Sequence, residues 1–179
     1  MSSAQALSQL FNKNGLIDVE ASNREAMLST ATQLGLGTFV VACDKARSRS
    51  AVLRAIVKAV DYPEFLGSDL EALYECLTEC LFEEKQGLYI WLDKLHTGDP
   101  LLGEHATAIL ETFTEAANHA TDEGKVFCYS VEHAGPHADP VEEQMASTER
   151  QRSSVPLDDY DENEDYDSYE DIDDYEDDV

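Results

Sequence analysis

The chain has 179 residues, 42% of them hydrophobic, which is enough for one domain with a substantial core but too few for two domains of typical size. Its 38 acidic residues outnumber its 12 basic residues and give a formal net charge of -26 at pH 7. Fourteen of the acids lie after Pro156, so residues 1–156 still carry 24 acids against 12 bases. Such a chain is expected to repel nucleic acids and membrane surfaces and to attract basic proteins.

The first 37 residues are predicted to form a helix, a strand and a second helix. Residues 4–11 have an amphipathic pattern, residues 16–19 have the composition of a brief strand, and residues 22–34 have a helical period. The predicted apolar side of the second helix consists of Ala26, Met27, Ala31 and Leu34. We expect this N-terminal extension, residues 1–37, to add a strand and a helix at the edge of a sheet.

The middle of the chain alternates between predicted strands and helices. Residues 38–43 are a continuous apolar run, which is typical of a strand buried on both faces. The pattern then predicts helices over residues 51–60, 69–81 and 101–120 and strands over residues 88–92 and 125–131. Strands separated by helices pair in parallel through right-handed crossovers. The predicted fold class is therefore α/β: a small, mainly parallel sheet of three core strands packed with helices, with an extra N-terminal strand as an open alternative.

The composition changes after the last predicted strand. Residues 133–156 are polar and interrupted by glycine and proline, which is typical of a linker. Residues 157–179 form a low-complexity acidic tail with four tyrosines, and such a composition predicts disorder. The expected core domain is therefore residues 38–132.

The predicted helix of residues 69–81 has two different faces. Ser68 and Glu71 have the spacing of a capping box at its start. Glu71, Glu75 and Glu79 follow one another at four-residue intervals, and the apolar side chains lie on another face. Like charges at this spacing destabilise a helix by roughly 0.2–0.5 kcal/mol per pair, so the carboxylate stripe favours a functional interpretation.

The sequence of this helix and of the loop before it resembles the barstar family, the intracellular protein inhibitors of small secreted microbial ribonucleases. The resemblance is carried by residues 63–78, Pro-Glu-Phe-Leu-Gly-Ser-Asp-Leu-Glu-Ala-Leu-Tyr-Glu-Cys-Leu-Thr, where sixteen consecutive positions agree in identity or type. A Phe-Thr-Glu-Ala element at residues 113–116 also agrees, and the resemblance extends over about residues 38–131.

The resemblance implies a barstar-like fold and an immunity-type inhibitor that binds one small basic ribonuclease, or ribonuclease-type toxin, per molecule. Its carboxylates would occupy the positions of RNA phosphates. In the family, the acid that follows the aromatic residue of the central helix enters the enzyme's active site, and here that acid is Glu75. By the same transfer, the implied partner-binding residues are Phe65, Leu66, Gly67, Asp69, Leu70, Glu71, Tyr74, Glu75 and Glu115.

The sequence leaves other roles open for most of these residues. The apolar loop residues and Tyr74 would also suit the core, and Glu71 would also serve as the capping partner of Ser68. The positions of Glu75 and Glu115 would also suit ordinary solvated glutamates without a binding role. Glu71 and Glu75 stand where well-known family members have aspartate, and Tyr74 stands where they have tryptophan. These differences favour a different enzyme partner.

The alternative function is that of an acidic interaction protein or nucleic-acid mimic that acts through its Asp/Glu/Tyr-rich tail. Tyrosine rings in residues 157–179 would then stack where bases normally do. The same tail would equally be a solubilising appendage.

No metal, cofactor or enzymatic activity is predicted. The four cysteines are too few for a disulfide scaffold, so we expect reduced thiols, and Cys76 and Cys80 lack further ligands at metal-binding spacing. Gly-Pro between His133 and His137 prevents a helix that would present both rings to one ion. No phosphate loop, nucleophile elbow or zinc signature occurs. Since no leader or membrane-spanning run is evident, we expect a cytoplasmic protein.

Overall fold

The computed structural model describes residues 3–62 and 69–137, which belong to one compact unit. In chain order, the elements are α1 (Ser3–Leu10), β1 (Gly15–Leu16), α2 (Arg24–Gln33, preceded by the 3-10 helix Ala21–Asn23), β2 (Gly37–Ala42), α3 (Arg49–Ala59), α4 (Leu70–Glu83), β3 (Gly87–Leu95), α5 (Gly103–Asp122) and β4 (Val126–His133). The predicted tail and all of the predicted linker beyond His137 lie outside the described residues. No helix in the described part is long and apolar enough to cross a membrane.

The four described strands form one sheet in the order β1-β4-β3-β2, and all three pairings are parallel. The predicted α/β class is confirmed. The sheet is parallel throughout and has a fourth strand, the N-terminal strand that was predicted as an open alternative. The added strand β1 is shorter than predicted and pairs only Gly15 and Leu16 with β4. Asn14 secures it: its amide nitrogen donates to the Lys125 carbonyl at 2.9 Å, and its amide oxygen accepts from Phe127 N–H at 3.2 Å.

The central strand β3 divides the core into two layers because successive side chains point to opposite faces. Leu88, Ile90 and Leu92 are fully buried in a cluster with residues of α3, α4 and α5. Tyr89 and Trp91 are fully buried on the other face, against residues that include Phe11 and Met27. The predicted strand of residues 88–92 is thus confirmed as doubly buried, within a longer strand.

The prediction that the strand of residues 38–43 is buried on both faces is wrong. It forms β2, the edge strand, in which Val41 is fully buried but Val40 is 40% exposed. Its continuous apolar pattern resembles that of a central strand because β-branched residues suit any pleated surface, while the edge position depends on long-range pairing.

The apolar side predicted for α2 is also partly wrong. Met27 and Ala31 are buried, but Ala26 is exposed and Leu34 is 41% exposed. Thr30 is buried beside them because its hydroxyl donates to the Ala26 carbonyl at 2.7 Å, which satisfies the polar group within the helix.

Helix α5 begins two residues later than predicted because Asp99 builds a turn before it. The Asp99 carboxylate accepts from Leu101 N–H at 2.9 Å, and its carbonyl accepts from Leu102 and Gly103 N–H at 3.1 and 2.8 Å. The helix therefore starts at Gly103 and runs to Asp122.

Candidate functional site

A groove of about 340 Å³ lies between α4 and α5. Its lining comes from the first two turns of α4 and the middle of α5: Leu70, Glu71, Tyr74, Ala108, Glu111, Thr112 and Glu115. Three of these side chains are carboxylates and none is basic. We call this surface, together with Glu75 one turn along α4, the acidic groove.

Helix α4 presents its acids outward because its apolar stripe is held in the core. Leu73 and Leu77 are buried, whereas Glu71 and Glu75 are exposed. The cap is Asp69, not Ser68 as predicted: Asp69 has an extended backbone, and its carboxylate accepts from Glu71 N–H at 3.1 Å. An aspartate cap completes the first turn. Ser68 lies outside the described residues.

The third acid of the stripe has a structural contact. The Tyr62 hydroxyl donates to the Glu79 carboxylate, which ties the segment after α3 to α4. The three glutamates of the predicted stripe are therefore not equivalent, since the carboxylates of Glu71 and Glu75 have no such hydrogen bond to another described residue.

Tyr74 lies both in the wall of the groove and against the core. Its ring is half-buried, packs against the main cluster and meets the His119 ring edge-on at a centroid distance of 6.3 Å. His119 also meets the Phe82 ring at 6.1 Å. The contact across α4 and α5 fixes the position of Tyr74 in the wall of the groove.

Helix α5 supplies the opposite wall. Glu111 and Glu115 are one turn apart and exposed, while Phe113 between them is fully buried against Phe127 and Tyr129. Of these two glutamates, only Glu115 was predicted from the sequence to bind the partner. The four-residue interval between the two glutamates is the signal that would have identified Glu111.

The carboxylates of the acidic groove have no cationic partner in the described part of the chain. Each of Glu71, Glu75, Glu111 and Glu115 is exposed, and no ion pair involves any of them among residues 3–62 and 69–137. Four carboxylates on two adjacent helices repel one another, and that repulsion is relieved when a cation binds.

The structure brings together four of the nine predicted binding residues: Leu70, Glu71, Tyr74 and Glu115 line the groove. Asp69 and Glu75 lie on the same helix but outside the lining. Phe65, Leu66 and Gly67 lie outside the described residues.

The four cysteines belong to no metal-binding group among the described residues. All four are free and buried, and the described residues contain no group of three His, Cys, Asp or Glu side chains arranged to hold a metal ion. A hydrogen bond with Cys80, together with burial, raises the pKa of the Cys76 thiol far above its ordinary value. Burial raises the pKa of the Cys43 and Cys128 thiols to about 12. Thiols held protonated in this way are poor nucleophiles and poor metal ligands.

Comparison with known proteins gives one family match. The model of the family described as "Barstar (barnase inhibitor)" matches residues 36–132, which include every residue of the acidic groove. No curated protein matches the chain. Among solved structures, the ORC2 protein of Aeropyrum pernix aligns with a TM-score of 0.48 and 15% identity, over 86% of this chain and 43% of the ORC2 chain. A likeness at that level supports no functional argument.

Proposed function

The chain belongs to the barstar family, and we propose that it is a protein inhibitor of a small basic ribonuclease, which it blocks with its acidic groove. Members of the family are inhibitors rather than enzymes. The observation that carries the proposal is the groove itself, in which carboxylates from α4 and α5 surround a cavity that no basic side chain lines.

Small ribonucleases bind RNA phosphates with clustered arginine and lysine side chains. Carboxylates at matching positions replace phosphate oxygens as acceptors of charge-assisted hydrogen bonds. Binding then occludes the catalytic centre without any chemical step. Because α4 is anchored by its apolar stripe and capped by Asp69, the backbone that carries its exposed carboxylates is fixed before binding, which reduces the entropy lost on association.

Individual residues take the following roles in the proposal. Glu75 enters the enzyme's active site, and Glu71, Glu111 and Glu115 contact basic side chains around it. Leu70 and Tyr74 provide apolar contact at the base of the groove, while Asp69 and, by the family resemblance, residues 65–67 supply further contacts with the enzyme. Burying an aromatic anchor beside charged pairs is typical of high-affinity interfaces.

The partner class follows from the same surface. A ribonuclease or ribonuclease-type toxin with a positively charged active site would be steered toward the groove at long range. An inhibitor of this kind protects the cell that contains it, so we propose a cytoplasmic immunity role and a complex of one inhibitor with one enzyme.

The test is an inhibition titration against a panel of small basic microbial ribonucleases. The proposal predicts that the activity of at least one enzyme falls linearly to zero at a one-to-one ratio, and that the chain alone has no nuclease activity. The matched control is Glu83→Gln, which removes an exposed charge at the far end of α4 and should inhibit as the wild type does. If every enzyme of the panel stays active at a large excess of the chain, the proposed function is rejected for this class.

A further inference from the structure

Three loops meet at the carboxyl ends of β2, β3 and β4 and bring two histidines together with two aspartates. The His96 and His137 rings stack with their centroids 3.7 Å apart and their planes at 28°. His96 Nε2 lies 3.1 Å from Asp44 Oδ1, and His137 Nδ1 lies 2.7 Å from Asp99 Oδ2. We call these four residues the histidine cluster.

Both nitrogens of each ring face an oxygen that only accepts hydrogen bonds. The second nitrogen of His137, Nε2, lies 3.1 Å from the Asp44 carbonyl, and the second nitrogen of His96, Nδ1, contacts the Gly135 carbonyl. A neutral imidazole has one N–H and therefore leaves one lone pair facing an acceptor oxygen, whereas an imidazolium donates from both nitrogens. All four contacts are satisfied together only when both rings are protonated.

Burial and charge raise the energetic cost of leaving a ring nitrogen without a hydrogen-bond partner. The side chains of His137, His96 and Asp99 are only 7%, 11% and 12% exposed, so water cannot readily take the place of a missing donor between His137 and Asp99, whereas Asp44 is 55% exposed. Two stacked imidazolium rings would repel each other in isolation. Here the carboxylates of Asp44 and Asp99 balance the two charges.

We propose that residues 134–137 form a proton-operated latch, which is docked when His96 and His137 are protonated and released when they lose their protons. Two backbone hydrogen bonds define the docked state: Ala134 N–H donates to the Leu95 carbonyl at 2.9 Å, and Gly98 N–H donates to the Ala134 carbonyl at 3.1 Å. In the docked state His137 contacts the Asp99 carboxylate, and Asp99 forms the turn that precedes α5. Release of residues 134–137 therefore frees the segment that leads into α5.

The other groups near the rings do not account for the switch. His133 Nδ1 pairs with the Thr97 hydroxyl at 2.9 Å, and a hydroxyl can donate or accept, so that pair needs no imidazolium. The hydrogen bond from His137 and that from Leu101 N–H lower the pKa of the Asp99 carboxyl, which stays ionised wherever imidazoles titrate. Asp44 is the other charged side chain that forms a hydrogen bond with one of the rings.

Hydrogen exchange at the Gly98 and Ala134 amides tests the latch. After correction for the intrinsic pH dependence of exchange, protection at both amides should fall at least about tenfold between about pH 5.5 and about pH 8.5. The amide of Ile90, in the sheet interior, serves as the internal reference. In the double variant His96→Gln and His137→Gln, protection at the two amides should be low and independent of pH, while His133→Gln should keep the wild-type profile.

A spectroscopic readout on the wild type guards against a double variant that fails to fold. Long-range proton–nitrogen spectra at about pH 5.5 should show all four ring nitrogens of His96 and His137 carrying protons. Protection that does not change with pH in the wild type overturns the latch, as does a ring nitrogen without its proton in the docked state. Persistent pH dependence in a folded double variant also overturns it.

Discussion

The acidic groove and the histidine cluster use carboxylates in opposite ways. In the cluster, Asp99 and Asp44 each face an imidazole nitrogen at hydrogen-bond distance. In the groove, Glu71, Glu111 and Glu115 surround a cavity with no cation from the described part of the chain. Carboxylates paired within the fold serve its structure, and those left unpaired on a rigid surface are available to a partner. This contrast, rather than the net charge, is the reason that we propose the groove as the binding surface.

The largest effect is expected from Glu75→Ala. If Glu75 is buried against arginine and lysine side chains in the complex, its loss leaves those cations desolvated and unpaired, at a cost of roughly 2–5 kcal/mol. The dissociation constant should then rise by at least about thirtyfold, as calorimetry would show. Thermal unfolding of the free protein should be unchanged because Glu75 is exposed. Wild-type affinity in this variant would remove Glu75 from the interface.

Added salt should slow association at the acidic groove but should leave exchange protection at the histidine cluster almost unchanged. Exposed charges attract a basic partner over distances comparable with the screening length of about 8 Å at physiological ionic strength. Raising the salt concentration from about 0.05 M to about 0.5 M should therefore slow association roughly tenfold or more in stopped-flow experiments. Exchange protection at the Gly98 amide, next to the buried cluster, should hardly change over the same range. An association rate that is independent of salt contradicts a binding surface of unpaired carboxylates.

Glu111→Gln should weaken binding about three- to fivefold, since an exposed ion pair contributes at most about 1 kcal/mol. The substitution keeps the size of the side chain and removes only its charge. Glu104→Gln is the matched control, because Glu104 is also exposed on α5 but does not line the groove. Equal dissociation constants for the two variants would exclude Glu111 from the interface.

Asp99→Asn should lower stability without affecting inhibition. Because the folded-state pKa of Asp99 is lowered from its ordinary value of 3.8, its contribution is present above that pH and is lost as the pH falls through the folded-state value. Denaturant melts should therefore separate wild type and variant at neutral pH and converge as the pH falls below the lowered folded-state pKa of Asp99. A constant difference between the two melts at every pH would show that Asp99 acts through the shape of its turn rather than through its charge.

The parts of the fold that local pattern determines were predictable. The continuous burial of residues 88–92 in β3, the apolar stripe of α4 and the exposure of Glu71 and Glu75 follow from local sequence pattern alone. The cap of α4 was misassigned because Ser68 and Asp69 are both good capping residues, and the extended backbone that makes Asp69 the cap is not encoded in the residue type.

Features that depend on distant pairings were not predictable. The exposure of β2 follows from its place at the sheet edge, which no local window encodes. The histidine cluster joins residues from three loops: His137 lies 93 positions from Asp44 and 38 from Asp99. The Gly-Pro step before His137 was correctly taken to prevent a helix. The same Gly-Pro step also allows the chain to turn back so that His137 contacts His96. This contact was not predictable because it depends on where the parallel strands end.

We propose that the groove, and not the acidic tail, binds the partner. The tail's fourteen carboxylates lie in residues 157–179, outside the described residues. If they act only through screened long-range attraction, deleting residues 157–179 should slow association a few-fold and leave dissociation nearly unchanged.

The most direct test is calorimetric titration of one inhibited ribonuclease with the full chain, with Glu75→Ala and with the chain lacking residues 157–179. We expect the truncated chain to bind with nearly full affinity at one-to-one stoichiometry and Glu75→Ala to bind at least about thirtyfold more weakly. Loss of binding on truncation, with unchanged binding by Glu75→Ala, would contradict the claim and assign the function to the tail.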